Sequence, residues 1–172
     1  MTENERRLKR ERMKLTHPDK SIEHMGTVRF IAKCNHDAPS VLARAKEILL
    51  IANEHAFDYG QYDERWLSIF PQWFLNACEP EKPMDLRIKE SEEFRNLPWD
   101  EKVRQATDDK WSALDWTSWI LPEDRIWIWW DAICTDYDTI VVAVEVTDWP
   151  FPSGALDWLF RACGAVSVDA EK

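Results

Sequence analysis

The sequence predicts an α+β fold, with several N-terminal and central helices packed on a small antiparallel sheet built around a C-terminal β-hairpin (125–147) and followed by a final helix. Three observations carry that expectation. Residues 125–134, RIWIWWDAIC, and 139–147, TIVVAVEVT, are dominated by β-branched and aromatic side chains and flank TDYD, which is turn chemistry. Residues 37–57, 66–77 and 153–164 instead space their apolar side chains at helical intervals. At 172 residues, with only 4 glycines and 45% hydrophobic content, the chain suits one core rather than two. The expected division is a basic peripheral N-terminal segment, 1–24, and a single acidic globular domain, 25–172.

Residues 3–15, ENERRLKRERMKL, have high helix propensity and almost no apolar stripe, so a solvated helix, or one that orders on a partner, is expected. Next comes His17-Pro18-Asp19-Lys20. This tetrapeptide resembles the signature of J-domain co-chaperones, but the following IEHMGTVRFIAKC does not continue as that family's next helix, and no J-domain is assigned. Thr27 to Cys34 alternates Val28, Phe30 and Ala32 against Arg29, Ile31 and Lys33, as a half-buried strand does. In the helix after it, Asp37 or Ser40 can cap, Pro39 suits the first turn, and Val41, Ala45, Ile48, Leu49 and Ala52 share the core face.

Trp66, Phe70, Trp73, Phe74 and Ala77 form a second helical stripe, broken or kinked near Pro71. Residues 84–110 read as two short charged helices separated at Pro98. Another helical turn or two spans WSALDWTSWI, with Trp116, Trp119 and Ile120 on one side. In the final helix Leu156, Leu159, Phe160 and Cys163 form the apolar face, Ser153 is the candidate cap and Gly164 the candidate C′ residue. Beyond Ala165 a loose tail, or at most a short edge strand, is expected.

Six of the 11 tryptophans fall between Trp111 and Trp130. Strict strand alternation puts Ile126, Ile128, Trp130 and Ala132 on one face and Trp127, Trp129, Asp131 and Ile133 on the other. Most of the cluster is read as core, with Trp116, Trp119 and Trp130 foremost. If helices cover one face only, Trp127 and Trp129 beside Asp131 would line an exposed groove for a sugar, a flat ring, a cation or a partner's side chain. Trp149, in the proline-bounded loop DWPFP, is a further contact candidate.

Charge is uneven. Residues 1–33 carry nine Lys/Arg against five Asp/Glu, and residues 34–172 carry 13 against 27, giving the formal total of -10. An acidic body repels nucleic acid and attracts basic surfaces. No apolar run reaches the roughly 20 residues of a membrane span, and the charged N-terminus and four unpaired-looking cysteines lead us to expect a cytoplasmic protein. Neither a phosphate-binding glycine loop, a nucleophile elbow nor a recognised zinc spacing is present, so no cofactor, metal or catalytic residue is expected.

The function expected is a non-catalytic module that holds a basic protein partner. Bacterial immunity proteins, which cover the cationic site of a toxin, are similar in size, charge and lack of catalytic motifs. The contact residues expected are Trp127, Trp129, Asp131, Asp136, Asp138, Asp148 and Trp149. The alternative is a small-ligand or carbohydrate-binding domain, or a small enzyme, using the Trp127, Trp129 and Asp131 face.

Overall fold

A computed structural model describes residues 1–172. Twelve elements follow in order: α1 (Glu3–Thr16), β1 (Thr27–Cys34), α2 (Ala38–Glu54), α3 (Trp66–Ile69), α4 (Gln72–Ala77), α5 (Met84–Arg95), α6 (Trp99–Asp108), α7 (Ala113–Ile120), β2 (Trp127–Asp136), β3 (Thr139–Val146), α8 (Gly154–Ala162) and β4 (Ala165–Ala170). The strands form one sheet in the order β2-β3-β1-β4. Every neighbouring pair is antiparallel. β3 and β4 therefore run in the same direction on either side of β1, and α8 makes the crossover between them. No helix is long and apolar enough to cross a membrane.

Local chemistry sets the element ends where the sequence suggests it. Asp37 caps α2 from a left-handed conformation (φ 61°), accepting from the Ser40 N–H, and Pro39 occupies the first turn. Pro71 divides the Trp66 to Ala77 stripe into α3 and α4. Gly164 follows α8 at φ 118°, a conformation glycine adopts without a Cβ penalty. Ser153 precedes α8 but its side chain makes no capping bond. Ser112, not singled out from sequence, caps α7 by accepting from Asp115 N–H.

One face of the sheet carries Phe30, Ala32, Trp127, Trp129, Ala132, Ile140, Val142 and Val144 into the main core. The predicted stripe of α2 packs there, as do Leu156, Leu159 and Phe160 of α8. Phe160 stacks on Trp129 with ring centroids 6.2 Å apart. A second aromatic group, Phe70, Phe74 and Trp116, ties α4 and α7 to the same core at centroid separations of 5.1 to 6.0 Å. Trp116 also donates its indole N–H to the Ala155 carbonyl at 2.9 Å.

The N-terminal helix is docked rather than solvated. α1 is docked along the outer side of β2 and against α2, with Leu8, Glu11 and Leu15 buried. Its inward stripe was invisible to apolar counting because its centre is a carboxylate. Glu11 has no exposed surface and accepts from Arg125 Nη2 at 2.6 Å, Asn53 Nδ2 at 2.9 Å and the Trp129 N–H at 2.9 Å. The chain after α1, which contains the HPDK tetrapeptide, is coil laid on β2: Ser21 N–H donates to Asp131, and His24 stacks on Trp130 at 3.8 Å.

Strand β2 also departs from strict alternation. Trp129 faces Val144 and Asp131 faces Ala143, so Trp130 is an extra residue with nothing opposite it. A bulge of this kind reverses the parity of everything beyond it. Asp131 consequently lies on the face opposite Trp127 and Trp129, and Ala132 rejoins them in the core. Trp130 itself is half-buried between His24 and the Lys14 ammonium, which sits 4.0 Å from its ring. Trp119, expected in the core, is exposed because the apolar side chains that α7 turns inward are Ala113, Leu114, Trp116 and Ile120.

Candidate functional site

The seven residues selected from sequence fall into three places. Trp127 and Trp129 are 1% and 0% exposed and belong to the core, so the exposed aromatic groove expected on that face is replaced by packing against α8 and α2. Asp131 is fully buried on the other face, where its two oxygens accept from the Ala132 and Ser21 N–H groups at 2.8 and 3.2 Å. These three cannot meet a partner at the surface. Asp136, Asp138, Asp148 and Trp149 remain accessible.

Asp136 and Asp138 flank Tyr137 at the tip of the hairpin. The tip is anchored, because Cys34 N–H donates to the Asp138 carbonyl at 2.7 Å and Ala38 N–H, at the start of α2, donates to the Tyr137 carbonyl at 2.8 Å. Asp136 accepts from the Tyr137 N–H at 2.7 Å, and Asp138 accepts from the Thr139 hydroxyl at 2.7 Å. The Tyr137 side chain is left 67% exposed between two carboxylates on a fixed backbone. Sequence reading treated Tyr137 as part of a turn. The usable signal was an aromatic side chain at a position whose neighbours already satisfy the turn.

Asp148 and Trp149 lie past the other end of β3. Eight strand residues separate the two places, about 26 Å at ordinary strand rise. Asp148 accepts from the Trp149 N–H at 2.8 Å. Trp149 is 58% exposed, yet its ring meets Phe151 edge-on at 5.7 Å, and buried Phe151 meets Phe30 at 5.9 Å. The peptide bond from Trp149 to Pro150 is cis.

A shallow cleft of about 380 Å³ opens elsewhere, between the end of α2 and the turn before β2. Phe57, Asp58, Tyr59, Glu123 and Asp124 are among its walls, and Gln61 donates across it to Asp124 at 2.7 Å. Its rim is acidic, and Phe57 and Trp99 are exposed aromatic residues that sequence reading did not single out.

The thiols offer no activated nucleophile. Burial pushes Cys78 up to about 12, opposed in part by the nearby Trp158 indole, and burial raises Cys163 further still. Cys34 and Cys134 are also raised, again chiefly by burial, and only Cys134 is exposed. Iodoacetamide at pH 8 is therefore expected to label Cys134 alone in the native protein and all four cysteines in denaturant, as mass spectrometry of the intact chain would show. Rapid native labelling of Cys78 or Cys163 would contradict their burial.

Comparison with protein-family models, with curated proteins and with solved structures finds no match, so the functional reading rests on the chain's own geometry.

Proposed function

We propose that the chain is a non-catalytic, cytoplasmic protein-binding module that covers a basic site on another protein, in the manner of an immunity protein covering a toxin. The observation that carries the reading is the anchored Asp136, Tyr137, Asp138 tip, an exposed aromatic ring between carboxylates on a backbone held by two hydrogen bonds. Such a tip needs little ordering on association, its ring supplies contact area, and its charge steers a cationic surface. Asp148 and Trp149 form a second acidic and aromatic contact at the far end of β3. The acidity of residues 34–172 adds long-range attraction for the same class of partner.

The test is capture of partners from lysate and from products of neighbouring genes, using wild type and the double variant Asp136→Lys, Asp138→Lys. Reversing both charges is expected to weaken a captured basic partner roughly 10- to 100-fold, mainly through association rate, while the melting temperature falls only slightly through loss of the Asp136 and Asp138 bonds at the tip. Wild-type binding should weaken as salt is raised. A partner held equally well by the double variant and in high salt would remove the electrostatic reading.

A second reading, small-ligand binding, is favoured by one observation: the 380 Å³ cleft, whose wall residue Gly60 accepts the Trp66 indole N–H at 3.0 Å. Occupancy of the cleft would perturb Trp66 fluorescence. A flat titration across sugars, aromatic metabolites and organic cations would dispose of it.

A further inference from the structure

The two edges of the sheet are finished differently. Along β2 the chain lays α1, and Glu11 accepts the edge N–H of Trp129. This is a covered edge with an inward charge, a recognised way of preventing strand addition. β4 has no such cover.

The pairing of β4 fixes which of its backbone groups are free. Glu171 N–H donates to the Arg29 carbonyl at 2.9 Å, and the same register sets Ile31 opposite Asp169 and Lys33 opposite Ser167. Antiparallel partners alternate between pairs that exchange both bonds and pairs that exchange none. Ser167 and Asp169 thus bond to β1, whereas the N–H and C=O groups of Val168 and Ala170 point away from it. No turn, loop or side chain of the protein reaches those groups. The strand, AVSVDA, also lacks the lysine or proline that commonly guards an open edge.

The cations beside this edge already have carboxylate partners, Arg29 with Glu171, Arg161 with Asp157 and Lys33 with Asp138, which leaves Asp169 and Asp108 without an ion pair. Asp169 is exposed, and Asp108 and Asp169 both lie within electrostatic reach of Asp157. The Asp157 carboxyl is raised by burial first, lowered by its bond to Arg161, and raised again by those two aspartates. Val166 stands 59% exposed at the start of the strand.

We propose that the β4 edge is a second contact surface, at which an extended, lysine- or arginine-bearing segment of the protein partner adds as a fifth strand. Main-chain bonds to Val168 and Ala170 supply the register, and Asp169 and Asp108 select cationic side chains. The inference rests on the reading that the partner is a basic protein. A second copy of this chain fits less well, since each carries a formal charge of -10 and would set like charge against like. Thr139, Lys33 and Ser167 lie in one row across β3, β1 and β4. The hairpin tip therefore sits about 10 Å from the start of this edge, near enough for one partner to engage both.

The test uses the full chain and a capped peptide of alternating lysine and valine, six residues long, read by amide hydrogen exchange. Saturating peptide is expected to slow exchange at Val168 and Ala170 roughly tenfold and to do so less in high salt. Val168→Pro removes an outward N–H without touching a bond to β1, and it should abolish the slowing at Ala170. Because proline can loosen an edge, Asp169→Lys repeats the test on an unaltered backbone, with an expected three- to tenfold loss of affinity, roughly the scale of one cross-strand charge pair. No slowing at Val168 and Ala170, or slowing that persists in both variants, overturns the proposal. Protection that grows with protein concentration in the absence of peptide would make the occupant a second copy and overturn it as stated. If the edge fails while the Asp136 and Asp138 reversal still releases a captured partner, the edge inference falls and the binding-module reading stands. If the edge binds peptide while that reversal changes nothing, the hairpin reading is the one that falls.

Discussion

Glu11→Ala is expected to lower the free energy of unfolding by about 3–5 kcal/mol, the usual cost of leaving one partner of a buried ion pair alone. Glu11 and Arg125 are 0% and 2% exposed, 114 residues apart in sequence, and joined at 2.6 Å. Removing the carboxylate leaves the Arg125 charge buried, leaves the Trp129 N–H unbonded, and releases Asn53, whose amide also donates to the Leu8 carbonyl at 3.0 Å. Three elements lose their common joint. For a chain of this length the melting temperature should fall on the order of 10 °C.

Two comparisons separate this account from a general sensitivity of α1. Arg12→Ala removes a half-exposed partner of Glu54 at 3.8 Å and should cost under about 1 kcal/mol. The double variant Glu11→Leu, Arg125→Met removes both buried charges and should lose less than Glu11→Ala alone, because the Trp129 N–H and the Asn53 amide lose a bond but no unpaired charge stays buried. Urea denaturation at neutral pH measures all three. A loss below about 1 kcal/mol for Glu11→Ala would mean that α1 is not docked as described.

The same residues show where sequence reading works and where it stops. Hairpin, helical stripes and the break at Pro71 were legible because each has a local cause: side-chain branching, spacing of apolar positions, or a missing N–H. Glu11 was not legible, since a carboxylate in a helical stripe signals solvent until its partner is known, and nothing near it in sequence points to Arg125. The bulge at Trp130 had no signature either, because no glycine or proline marks it. Missing it put Asp131 on the wrong face and made Trp127 and Trp129 look like neighbours of a carboxylate. Asp136, Asp138, Asp148 and Trp149 were found accessible because turn chemistry and proline-bounded loops keep chain at the surface whatever the packing. The free edge of β4 depends on which strand lies beside it, a long-range fact that the tail sequence does not contain.

Trp129→Ala should be as damaging as any single change in the core, about 3–5 kcal/mol. The ring has no exposed surface, stacks on Phe160 and lies in the layer between the sheet and its covering helices, so alanine leaves a cavity lined by side chains already fixed by their neighbours. Trp129→Phe should cost far less. The Trp129 indole N–H is buried without a hydrogen-bond partner, so phenylalanine sheds a polar group that gains nothing in the fold while it keeps much of the stacking surface. Trp149→Ala should move stability by under about 1 kcal/mol, since its ring is mostly in solvent, and should instead weaken capture of a basic partner. Chemical denaturation together with the capture assay reads both properties for each variant. If Trp129→Ala folded normally and lost the partner while Trp149→Ala lost stability and kept it, the assignment of Trp129 to the core and Trp149 to the contact surface would be reversed.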